Sequence, residues 1–118
     1  MREKMFRAWD NGKMLGPVGI LLTGTPEWLF NLSSEADIMQ YTGLKGKNGV
    51  EIYEGDILKH EIGDGIKDSI WRVFWFPEFA RFYLVCDATA NHVGATRSRC
   101  ADMEIIGNIY EHSELVDE

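Results

Sequence analysis

Little in this chain of 118 residues offers a ready staple, anchor or catalytic signature. It has two cysteines, Cys86 and Cys100, too few for the disulfide framework of a small secreted domain. Cys86 lies in an apolar run and reads as a small buried hydrophobe; a bridge to Cys100 is disfavoured because nothing points to an oxidising compartment. There are three prolines, and no apolar run nears the roughly 18 residues that span a bilayer. The basic N-terminus lacks an apolar h-region, so no signal peptide is expected. Together these absences predict a soluble, cytoplasmic protein with no membrane association.

A basic excess is also missing. The net charge is −7, and it is unevenly placed. Residues 1–101 carry 13 acidic and 12 basic side chains, whereas 102–118 carry six acids (Asp102, Glu104, Glu111, Glu114, Asp117 and Glu118) and neither Lys nor Arg. A protein that neutralises phosphates needs a positive stripe, so nucleic-acid binding starts at a disadvantage.

What is present is turn chemistry and β-forming sequence. Hydrophobic residues make up 45% and aromatics 12%, a globular composition for one domain able to fold unaided. Asn11-Gly12 predicts a hairpin-like unit over 5–23, with Gly16-Pro17 making its second arm imperfect. Residues 27–32 suit a strand or a short turn of helix, and Ser33-Ser34-Glu35 suggests a capped helix near 34–39. Gly43, Gly46 and Gly49 match no phosphate-loop pattern, so they read as loop and turn glycines. Gly55-Asp56 opens a strand over 57–62, and Gly63-Asp64-Gly65 supplies the next turn.

The clearest strand is Ile70 to Phe76, with Arg81–Cys86 as its partner across Pro77-Glu78. Its faces, Ile70/Arg72/Phe74/Phe76 and Trp71/Val73/Trp75, are both largely apolar, which implies burial on one side and partial cover on the other. Residues 89–101 read as polar and irregular. Met103–Ile106 forms a last strand, Ile109 and Tyr110 pack back on the core, and the tail from His112 frays. Short strands divided by turns, with no long amphipathic helix, predict a mainly β chain closed into a small barrel or roll, with an N-terminal β-hairpin extension and at most one short helix.

The blocks Met1-Arg2-Glu3 through Phe6-Arg7-Ala8-Trp9-Asp10, Met39-Gln40-Tyr41-Thr42-Gly43-Leu44-Lys45, and Asn48-Gly49 with Glu51-Ile52-Tyr53-Glu54-Gly55-Asp56-Ile57 resemble the YopX family of phage and prophage proteins. Phe82-Tyr83 and Glu104-Ile105-Ile106-Gly107-Asn108-Ile109-Tyr110-Glu111 complete the resemblance. It implies an SH3-like barrel over 41–111, carrying a β-rich extension over 1–40 and an acidic tail at 112–118. Residues 19–31 and 88–101 do not align to the family pattern. No catalytic motif comes with the resemblance.

Chemical candidates are sparse. His60, Asp64, His92 and Cys100 lack the close spacing of metal ligands, so neither metal nor cofactor is expected. Glu54 and Asp56 point to one face if extended and would make a carboxylate pair, but Asp56 suits better the role of holding a turn through its side-chain oxygen. Cys100 follows Arg97 and Arg99, which would lower its pKa, yet no histidine is near in sequence. The chain therefore reads as a non-enzymatic accessory protein. Its strongest feature is the aromatic stretch 71–83, from which Trp71, Trp75, Phe79 and Tyr83 are expected to meet a protein of the host or phage, or a second subunit. The alternative is a nucleic-acid surface of Arg72, Arg81, Arg97 and Arg99 beside aromatic platforms.

Overall fold

The computed structural model describes residues 5–19, 32–60 and 69–115. Among these described residues nine strands form two antiparallel sheets. The first has the order β2-β1-β3-β4, from β1 (Met5–Asp10), β2 (Lys13–Gly19), β3 (Asp37–Lys45) and β4 (Glu51–Tyr53). The second has the order β8-β7-β6-β5-β9, from β5 (Asp56–His60), β6 (Ser69–Phe76), β7 (Arg81–Cys86), β8 (Asn91–Gly94) and β9 (Met103–Asn108). This second sheet curls into a half-barrel. A single-turn helix, α1 (Arg97–Cys100), is the one α-helix among the described residues.

The turns fall where small polar residues permit them. Asn11 and Gly12 both adopt positive φ between β1 and β2, and Asn48 and Gly49 do the same before β4, where the Gly46 amide donates to the Val50 carbonyl at 2.8 Å. One apolar core cluster results, in which Ile52 of β4 and Cys100 of α1 join Leu58, Val73, Phe82, Leu84 and Met103 of the second sheet. Ala8, Met39, Tyr41, Tyr53 and Ile57 are buried as well.

Residues 53–56 splice the sheets together. The Glu54 amide donates to Gln40 of β3, the Gly55 amide to Val73 of β6, and the Gly55 carbonyl accepts from Ile109, each at 2.9 Å. Gly55 sits at φ +88°, and a Cβ there would lie 3.3 Å from Met39 Sδ. Gly55→Ala is therefore expected to cost about 1–2 kcal/mol from left-handed backbone alone. Urea unfolding checks it, and an unchanged midpoint would show that the splice relaxes freely.

Several expectations are corrected. No helix occupies 34–39: Ser33 Oγ donates to Asp10 Oδ1 at 2.5 Å and accepts from the Glu35 amide at 3.3 Å, closing a turn instead of capping a helix. β3 starts at Asp37, because Phe6 to Trp9 offers it a complete antiparallel ladder. Residues 89–101 are not irregular, since β8 pairs with β7 and Thr96 caps α1 by accepting from the Arg99 amide at 3.2 Å. The tail is held at its start: His112 Nδ1 accepts from the Asn108 amide at 3.2 Å, and residues 113–115 form a 3₁₀ turn. Tyr110 does return to the core, stacking on Trp9 with ring centroids 5.9 Å apart. Both cysteines are free and buried. The readings at 27–31 and at Gly63-Asp64-Gly65 lie outside the described residues.

Candidate binding surface

Two places concentrate chemistry, the splice and the tip of the β6–β7 hairpin. At the splice, Asp56 is 2% exposed. Its Oδ1 accepts from Arg7 Nη2 at 2.6 Å and its Oδ2 accepts from the Tyr53 amide at 2.8 Å. The Arg7 guanidinium lies 4.7 Å from the centroid of the Tyr53 ring. Burial lifts the Asp56 carboxyl above its ordinary value, and Arg7 opposes the shift. Burial, with Glu51 adding to it, pushes the Tyr53 hydroxyl up to about 12, so it stays protonated at neutral pH. Glu54 takes a different job, accepting from the Gln40 amide at 3.4 Å. The two acids thus hold backbone and do not form an acid–base pair. Arg7 as the partner of Asp56 was not foreseen, since 49 residues separate them.

Cys100 is 0% exposed in the core, and burial raises its pKa above the ordinary thiol value. The expected activation by Arg97 and Arg99 is therefore reversed, because desolvation outweighs the one arginine, Arg99, that acts on it. His60 ends β5 and His92 sits in β8, far from each other in the strand order. Among the described residues no group of three or more His, Cys, Asp or Glu side chains could hold a metal ion.

The hairpin tip sorts the aromatics by face. Strand alternation turns Trp71, Val73 and Trp75 inward with Phe82 and Leu84, and Phe74 and Phe76 outward with Tyr83. Trp71 packs on the core, and its Nε1–H donates to Ser69 Oγ at 2.8 Å. Trp75, at the strand end, meets Phe82 edge-on at 5.0 Å yet remains 43% exposed. On the outer face Phe76 stacks on Tyr83 at 4.6 Å, and His92 lies 5.7 Å from Tyr83. The turn 77–80, with Ala80 at φ +51°, folds Phe79 back to 5.5 Å from Tyr83 while leaving it 57% exposed. Of the four aromatics expected together, Phe79 and Tyr83 share one face, and Trp71 and Trp75 lie on the other. Phe76 and His92 complete the outer cluster. The alternation of β6 already set Phe76 on the face of Phe74, whereas its meeting with Tyr83 and His92 depended on the registers of β7 and β8.

The arginines divide as well. Arg72 lies on the outer face, 4.4 Å over Phe74, and is held by Asp87 at 2.6 Å. Arg81 covers Tyr83 at 5.5 Å. Arg97 and Arg99 belong to α1, where Arg99 Nη1 donates to the Gly94 carbonyl at 3.0 Å. No helix among the described residues is long and apolar enough to cross a membrane.

Comparison with known proteins finds a matching family model and similar solved structures. The family model described as YopX protein matches residues 23–117. The chain is similar to the crystal structure of protein EF1440 from Enterococcus faecalis, with 28% identity and a TM-score of 0.70 over 97% of this chain and 98% of that one. No curated protein matches.

Proposed function

The chain belongs to the YopX family, and from that premise we propose that it is a non-enzymatic, phage-encoded accessory protein. It works in the bacterial cytoplasm as a protein–protein interaction module built on an SH3-like barrel. The carrying observation is the hairpin tip, where Phe79 and Trp75 stay 57% and 43% exposed on opposite faces. Rings already braced by Tyr83 and Phe82 lose little freedom on docking, and such aromatics dominate protein interfaces. The acids of the splice and the buried thiols are occupied by folding tasks, whereas the tip carries exposed aromatics with no such task among the described residues.

A single strand of nucleic acid is the second reading. It is favoured by Arg72 and Arg81 sharing the outer face with Phe74 and Tyr83. Against it, Phe76 stacks directly on Tyr83, Arg81 also covers that ring, and Asp87 neutralises Arg72. Nuclease-treated capture from bacterial lysate separates the two. The interaction reading expects capture that survives nuclease, falls at least about tenfold in Phe79→Ser or Trp75→Ser, and persists in Ile38→Ser, a control exposed elsewhere. Capture lost with nuclease, together with salt-sensitive binding of an oligothymidylate, would move the assignment to nucleic acid.

A further inference from the structure

Resting on the reading of the hairpin tip as a binding surface, we infer that one occupant of its outer face is a second copy of this chain, packed across a two-fold axis near Phe79. The charges around that ring carry the argument. Glu78 and Arg81 flank Phe79 on the same turn and strand, both exposed. Neither forms an ion pair among the described residues. A partner of uniform charge would be matched by one of them and repelled by the other. A two-fold contact makes residue i meet j while j meets i, so Glu78 of one copy opposes Arg81 of the other, twice. The tip is thus complementary to itself.

The rest of the surface agrees. The net charge of −7 would repel a second copy, but the excess acids lie in residues 102–118, whereas residues 77–82 hold one acid and one base. Phe79 is exposed but already leans on Tyr83, which in turn stacks on Phe76, so two such faces meet as braced rings with little side-chain entropy to lose. Trp75 points to the opposite face and stays outside the contact. A contact centred on one protruding ring and two charge pairs is small, so the dimer is expected to be weak, with a Kd on the order of 10–100 μM.

Sedimentation equilibrium of the purified chain, from about 1 μM to about 500 μM, tests this across the expected Kd. Wild type is expected to move from monomer to dimer. Phe79→Ser weakens association at least about tenfold, while Ile38→Ser, exposed on the other sheet, leaves it unchanged. Glu78→Arg and Arg81→Glu each weaken it by about fivefold or more, because like charges then face each other. Mixing these two variants restores association, since every facing pair is again opposite. Circular dichroism melting verifies that each variant is folded. A wild type that stays monomeric throughout overturns the proposal, and so does a dimer indifferent to Phe79→Ser or not rescued by mixing. A monomer that still captures a foreign protein through Phe79 would sink the dimer and spare the interaction module. A monomer that captures nothing would remove both.

Discussion

Asp56→Ala is expected to lower the unfolding free energy by about 3 kcal/mol, and Asp56→Asn by less than half of that. The difference follows from what the carboxylate does at the splice. One oxygen serves Arg7 at 2.6 Å and the other serves the Tyr53 amide at 2.8 Å. Alanine leaves a buried amide without an acceptor and strips a guanidinium whose side chain is 14% exposed. Asparagine keeps an acceptor for one of the two and removes the desolvation of a buried charge. The pH dependence has a definite sign. Burial raises the folded pKa of Asp56 above 3.8, so the proton-linked part of its contribution is complete below 3.8 and is lost as pH rises through the folded value, leaving the bonds to Arg7 and the Tyr53 amide to hold the joint at neutral pH. Acidification therefore does not unfasten this joint. Asp10 has the opposite sign: Ser33 lowers its pKa, so its contribution is present above 3.8 and lost as pH falls through the depressed value. Urea unfolding of wild type, Asp56→Ala and Asp56→Asn at several pH values reads both effects. Equal losses for Ala and Asn would show that charge, and not the paired acceptors, holds the splice.

What could be read without coordinates was what depends on neighbours in the chain. The alternation of Ile70 to Phe76, the Asn11-Gly12 and Asn48-Gly49 turns, and the turn role of Asp56 each rest on residues within a few positions of one another. These local signals suffice for a mainly β chain with an N-terminal hairpin. The errors arose where a distant partner overrode a local preference. Ser33-Ser34-Glu35 has the composition of a helix start, yet Asp10 takes the Ser33 hydroxyl and amide, and β1 takes the strand that follows. Asn91–Gly94 is too short and polar to announce a strand, and the ladder to β7 is what makes it one. The same limit applied to the candidate surface. Clustering in sequence suggested one aromatic patch, but period-two alternation divides Trp71 and Trp75 from Phe79 and Tyr83. Arg7 carried no local sign of its role, because its partner lies in another sheet.

Leu58→Ala should have an effect as large, about 3–4 kcal/mol, with no change in what the protein binds. Leu58 is 0% exposed, and in β5 it sits opposite Trp71 of β6 on one side and Ile105 of β9 on the other. Every neighbour of the deleted methyl groups is held in a ladder or in the core with Val73, Leu84 and Met103, so the cavity has little room to collapse. Trp75→Ser, although it removes a larger side chain, should cost less than about 1.5 kcal/mol, because 43% of Trp75 is already in water and its main contact is the edge of Phe82. The two substitutions thus separate the residues that hold the half-barrel together from those that the fold leaves outside. Chemical unfolding of both, beside partner capture at a temperature where both are folded, gives the comparison. A Leu58→Ala loss below about 1 kcal/mol would place the stabilising core elsewhere. A Trp75→Ser loss above about 3 kcal/mol would mean that the exposed indole serves the fold. The tip could then no longer be treated as a surface held free of structural duty.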